Sequence, residues 1–180
     1  MFWVSLNWSL DFMKLLFIIL LFQIQQNTNL LDECSKIKNF IYFNYNKLET
    51  RKICLSEFAI GGSEGKVFMK NDSLYYAEVT HLGETWNREE KIYYKNGFVL
   101  FIESKETKYP RAYYEQSKDG DENQITSLIT YFEKGNYLYS ISDNVKITDS
   151  EIINLKSKYY SLLISKIKES LKIKCNLNED

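Results

Sequence analysis

The spacing of apolar residues changes period twice along the chain, and each change marks an element boundary. Between residues 30 and 48, Leu30, Cys34, Ile37, Ile41, Tyr45 and Leu48 recur at three- and four-residue steps, the stripe of an amphipathic helix. Asn29 stands where its cap belongs. From Thr50 the period is two, in β-prone runs that begin at 51–58 and end at 137–142. Turn-forming groups such as Gly61-Gly62-Ser63-Glu64-Gly65, Asn71-Asp72-Ser73 and Lys134-Gly135-Asn136 separate them. Strands joined by tight turns with no helix between them predict an antiparallel β-meander of about six to seven strands. The helical period returns after Ile147. Thr148-x-x-Glu151 has the form of a capping box, with Ile147 placed to staple onto Ile152. Ile152, Leu155, Tyr159, Leu163 and Ile167 then form the expected buried stripe, and Lys156, Lys158, Lys166, Lys168, Lys172 and Lys174 read as a solvated basic surface. The fold class is α+β, a meander flanked by an N-terminal and a C-terminal helix.

The strongest local signal is Asn96-Gly97 between two β-prone runs, because a two-residue type I′ turn needs φ > 0 at both central residues. Counted outward from that turn, Lys95 faces Phe98, Tyr94 faces Val99, Ile92 faces Phe101 and Glu90 faces Glu103. On this register Ile92, Tyr94, Val99 and Phe101 share one face, and Tyr93, Phe98, Leu100 and Ile102 share the other. A strand apolar on both sides is normally covered on both sides. The alternative is an exposed aromatic patch that binds something.

The N-terminus carries a different pattern. Met13-Lys14 precedes the apolar run Leu15–Phe22, and a polar exit follows through Gln26. That is the form of a secretory signal peptide, and the run is shorter than the about 20 apolar residues a membrane span needs. The expected organisation is an extension plus signal peptide over 1–26 and one α+β domain over 27–180, exported to the periplasm or beyond, with no membrane span in the mature form.

Composition adds constraints. The 180 residues include fourteen Tyr and eleven Phe but only one Pro and seven Gly, which favours strands and leaves no room for a flexible linker. A net charge of −1 gives no field that would draw nucleic acid or an anionic membrane. Export would place Cys34, Cys54 and Cys175 in an oxidising compartment. Cys34–Cys175 is the natural staple if the terminal helices lie side by side; equally, all three can be buried thiols.

Catalytic chemistry finds little to build on. His81 is the only histidine, and its position on a strand reads as structural. No phosphate loop, C-x-x-C pair or EF-hand spacing occurs, and Asp119-Gly120-Asp121-Glu122-Asn123 reads as a surface turn. No cofactor or metal is expected. The Glu90–Glu103 apposition could serve as an acid–base couple, or the two carboxylates could splay into solvent at the hairpin's open end.

The order of motifs resembles a group of small, uncharacterised exported bacterial proteins. The resemblance runs over residues 30–145 and rests on Gly61-Gly62-Ser63-Glu64-Gly65, Leu82-Gly83-Glu84-Thr85, Tyr93-Tyr94-Lys95-Asn96-Gly97 leading into Val99–Glu103, Tyr109-Pro110, and Ile129–Asn136. It implies a meander with a flanking helix and no established activity. Three functions remain open: a binding, inhibitor or immunity-type module acting on another protein, a carboxylate-dependent hydrolase, and a structural envelope protein. The first leads, with Trp86, Tyr93, Phe98, Leu100, Glu90 and Glu103 as its candidate binding residues.

Overall fold

The computed structural model describes residues 4–55, 61–112 and 122–172. They divide into two compact units, residues 1–40 and 41–180. The first is formed by helix α1 (Val4–Asn44), which runs on into the second unit by one turn. From Phe12 to Leu21 its apolar side chains are exposed. Among the described residues no helix is long and apolar enough to cross a membrane. The helix expected over 30–48 is the last part of this longer one, and it closes at Asn44 before a 3₁₀ turn (Tyr45–Lys47). There the Tyr45 ring packs on Phe68, centroid to centroid 4.6 Å.

The second unit holds an eight-stranded antiparallel sheet in sequence order, with one strand more than expected at its end. The strands are β1 (Glu49–Cys54), β2 (Ser63–Lys70), β3 (Ser73–Leu82), β4 (Trp86–Lys95), β5 (Phe98–Lys108), β6 (Gln124–Glu133), β7 (Asn136–Ser142) and β8 (Val145–Lys146). The expected strand residues 56–58 and 113–116, residues 119–121 of the acidic turn, Cys175 and the side chain of Cys54 lie outside the described residues. So, with Cys175, does the staple to Cys34. Helix α2 (Ser150–Ser170) follows.

Four two-residue turns carry positive φ at both centres: Asn71-Asp72, Asn96-Gly97, Lys134-Gly135 and Asp143-Asn144. All but Lys134 are Asn, Asp or Gly, the residue types that accept the left-handed region at least cost. In three of the hairpins an extra residue then interrupts the ladder at the third position past the turn. The register slips between Phe68 and Met69, between Tyr93 and Tyr94, and between Tyr131 and Phe132. The bulged residues are Tyr75, Leu100 and Leu138. Each bulge brings two rings eight positions apart into register, 68 with 76, 93 with 101 and 131 with 139.

The bulge at Leu100 corrects the register counted from the turn. Lys95 pairs with Phe98 and Tyr94 with Val99, as expected, but Tyr93 then pairs with Phe101, Ile92 with Ile102 and Glu90 with Ser104. One inserted residue moves everything beyond it to the other face. Phe101 and Ile102 therefore exchange sides, and Glu103 faces Lys91 instead of Glu90.

The result is one row of rings across the sheet. Tyr45, Phe68, Tyr76, Tyr93, Phe101, Tyr131 and Tyr139 follow one another at centroid distances of 4.1 to 6.4 Å. Lys146 ends the row, its ammonium 5.0 Å from the Tyr139 ring. Tyr76 and Tyr93 donate their hydroxyls to Glu78 and Glu103 at 3.0 and 2.9 Å. Cross-strand ring pairs of this kind contribute about 0.5–1.5 kcal/mol each beyond their area.

Helix α2 packs on the opposite face. Tyr160, Leu163 and Ile167 join Val67, Met69, Ala77, Val79, Ile92, Tyr94, Val99, Ile102 and Phe132 in the core. Its cap is Asp149, whose carboxylate accepts from the Glu151 and Ile152 amides at 2.9 and 3.1 Å, so Thr148 stands one residue too early for the box. Ile147 packs against the core while Ile152 is exposed, so no staple joins them. The inward stripe also differs from the expected one: it runs Ile153, Lys156, Tyr160, Leu163, Ile167, while Ile152 and Leu155 point outward. Both stripes have helical spacing, and the sheet selects the one that buries Tyr160 against Phe132, 5.9 Å away.

Candidate functional site

The α2-facing side of the sheet changes character along the strands. Near the tight turns it is apolar; toward the other end the register lines up Ser63, His81, Arg88, Glu106 and Thr126 on five successive strands. The next row inward contains Glu90 between Val79 and Ser104. Glu90 and His81 are each only 1% exposed, and a charge so placed persists only where hydrogen bonds replace its water.

They do so here. The Glu90 carboxylate accepts from the Tyr159 hydroxyl at 2.9 Å and from the Ser104 hydroxyl at 3.2 Å, and His81 Nε2 lies 3.1 Å away. Tyr159 Oη is also 3.0 Å from Nε2. With its proton on Nε2, His81 donates to Glu90 and accepts from Ser63 Oγ at Nδ1, 2.7 Å distant. Ser104 Oγ also meets the Tyr160 hydroxyl at 3.1 Å. Two consecutive tyrosines of α2 thereby tie the helix to the polar rows.

Arg88 lies over this cluster. It donates to Glu106 through Nε at 3.0 Å and through a terminal nitrogen, and its guanidinium carbon sits 5.3 Å from the Tyr159 ring and 5.7 Å from that of Trp86. Burial pulls the Arg88 pKa down, but the hydrogen bonds to Glu106 and the neighbouring Tyr159 outweigh it and the net direction is up. Burial pushes Glu106 up, and Arg88 with Lys108 holds it below the usual range. Tyr159 is raised, first by burial and then by the Glu90 charge; Tyr160 is pushed up to about 12 for the same two reasons. Both hydroxyls therefore keep their protons at neutral pH.

Beside this network lies a groove of about 520 Å³ between the first half of α2 and strands β4 to β7. Ser104, Tyr159 and Tyr160 form the wall it shares with the network, Arg88, Glu106 and Lys156 bring charge, and Leu128, Ile147 and Leu155 are apolar. That size lies within the usual range for ligand sites, about 300–1,000 Å³. Ser63, His81 and Glu90 do not line it. Ser63, His81 and Glu90 are the residue types of an acyl-transfer triad, but the groove gives a substrate no approach to them. Among the described residues no group of three His, Cys, Asp or Glu side chains is placed to hold a metal ion.

The six residues singled out from the sequence fall in different places. Glu90 is the buried centre of the network. Glu103 lies on the opposite face with Tyr93, so the two carboxylates do not converge. Tyr93 and Leu100 are buried, whereas Phe98 is 52% exposed at a hairpin tip. No exposed aromatic sheet face forms around Tyr93 and Leu100. Trp86 is half-buried, its indole lying where a methyl on Gly83 would fall, and the Gly83 amide bonds the Trp86 carbonyl at 2.8 Å. Sequence reasoning missed Ser63, Arg88, Ser104, Glu106, Lys156, Tyr159 and Tyr160 as members of one site. The available signal was the recurrence of ring pairs eight positions apart around successive turns, which implies a bulge in each hairpin and yields the correct register. Comparison of the chain with family models, with curated proteins and with solved structures finds no match.

Proposed function

We propose that this chain is an exported binding module, of the inhibitor or immunity type, that engages another protein through the groove beside α2. The observation that carries the reading is the outward apolar flank of that helix. Leu155 is 67% exposed at the groove's rim and Leu162 is 53% exposed two turns further on. The groove wall behind Leu155 is held in place by the Glu90–His81–Tyr159 bonds, and a preorganised wall loses less entropy when a partner binds. The apolar run after Lys14 and the resemblance to exported bacterial proteins support export. Protein recovered outside the cytoplasm should begin near residue 27, which N-terminal sequencing checks.

The interface test places a photo-crosslinking amino acid at Leu155 and, as control, at Lys134 on a hairpin tip. The expected result is a partner crosslinked from 155 alone. Once purified, that partner should bind the wild-type protein and lose affinity for Leu155→Ser/Leu162→Ser. A partner that binds the double variant as well as the wild type would overturn the reading.

A second reading, a serine hydrolase, is favoured by one distance only, the 2.7 Å between Ser63 Oγ and His81 Nδ1. Covalent labelling of Ser63 by a fluorophosphonate probe would support it, and the binding reading expects none.

A further inference from the structure

We infer that the groove accepts a carboxylate, presented by an acidic side chain of the partner protein and seated against Lys156. The inference rests on the binding reading and specifies what the partner inserts. Its basis is an inverted polarity in the first half of α2. The inward stripe Ile153, Lys156, Tyr160, Leu163, Ile167 is apolar or aromatic except at Lys156, while the apolar Leu155 and Leu162 face outward. An ammonium at a core-facing position costs free energy unless something compensates it. Lys156 is half-buried, lines the groove, and makes no ion pair or hydrogen bond among the described residues.

The surrounding charges leave a place for an anion. Glu106 is already engaged by Arg88, and Lys108 stands 3.6 Å from its other oxygen. Glu90 is consumed by Tyr159, Ser104 and His81. Three cations therefore surround Glu106, and Lys156 is the one whose charge is not matched by direct contact. Burial and the nearby Arg88 lower its pKa, against the smaller opposing pull of Glu106 and Glu90. A carboxylate beside Lys156 would relieve both effects. The groove hydroxyl of Thr126 can donate to the same anion, while Leu128, Ile147 and Leu155 receive the apolar part of the partner residue.

The test compares 1-naphthaleneacetate with 1-naphthaleneacetamide, two probes with one apolar body that differ in charge. Titration of the full protein, followed by NMR chemical shifts, should show the acid binding roughly tenfold more tightly than the amide. Lys156→Met should abolish the difference and Lys156→Arg should keep it, with the thermal midpoint of each variant confirming the fold. Equal affinities for acid and amide, a difference that survives Lys156→Met, or no binding of either probe at millimolar concentration would overturn the inference. A crosslinked partner alongside equal probe affinities would sink only the carboxylate inference. Lys156-dependent acid binding without a partner at Leu155 would sink only the protein-binding reading.

Discussion

Removing one oxygen from Tyr159 tests the buried network directly. Tyr159→Phe keeps the ring under Arg88 and deletes a hydroxyl that lies 2.9 Å from Glu90 Oε2 and 3.0 Å from His81 Nε2. A hydrogen bond to a charged group contributes about 1.5–3 kcal/mol, and the partner oxygen here is buried beyond the reach of replacement water. The variant should therefore lose about 1.5–3 kcal/mol of unfolding free energy. Glu90→Leu should cost more, about 3–5 kcal/mol, because it removes the acceptor shared by Ser104, Tyr159 and His81 at once. Urea unfolding followed by far-ultraviolet circular dichroism supplies each value. A double-mutant cycle of Tyr159→Phe with Glu90→Gln should give a coupling of about 1 kcal/mol or more. A Tyr159→Phe loss below about 0.5 kcal/mol, with additive behaviour in the cycle, would show that α2 is held by apolar packing alone and that the network does not organise the groove wall.

Other outcomes follow from single features. Tyr94 is 1% exposed and its hydroxyl has no hydrogen-bond partner among the described residues, so Tyr94→Phe should stabilise by about 1 kcal/mol in the same urea assay. Gly97 has φ +78° with open space around it, so Gly97→Ala should cost about 1 kcal/mol through backbone strain alone. Tyr45, Tyr76, Tyr93, Tyr94, Tyr159 and Tyr160 are all raised above the usual value, with burial first among the causes. Neutral in both states below pH about 10, they ionise first in the unfolded chain as pH rises past that value, so stability falls there and buried tyrosinate appears only with cooperative unfolding in a near-ultraviolet titration. Lys156 shifts the other way: its contribution is present above the unfolded value and lost as pH falls through the lowered folded one, so it opposes the tyrosines, and Lys156→Met should steepen the alkaline fall in stability while weakening carboxylate binding.

Much of the fold follows from local chemistry. Asn71-Asp72 and Asn96-Gly97 fix their turns because few residues tolerate positive φ at two successive positions. The change of period at Thr50 and again near residue 150 separates helix from strand, since side chains recur on one face every 3.6 residues in one and every second residue in the other. Helix α2, the antiparallel meander and its order were legible on those grounds. The faces were not. A turn dictates register only as far as the first irregularity, and the bulge at Leu100 has no strong local signature because its residue is as β-prone as its neighbours. That single insertion turned an expected Glu90–Glu103 pair into Glu90–Ser104 and sent Glu103 to the aromatic row. The inward orientation of Lys156 was equally hidden. Two stripes of helical spacing coexist on α2, and only packing of Tyr160, Leu163 and Ile167 against the sheet chooses between them. The sequence by itself determined the elements and their order, through interactions within a few residues. The tertiary structure decided which side chains share a face, and so placed Glu90, His81 and Tyr159 in one network and opened a groove beside Lys156.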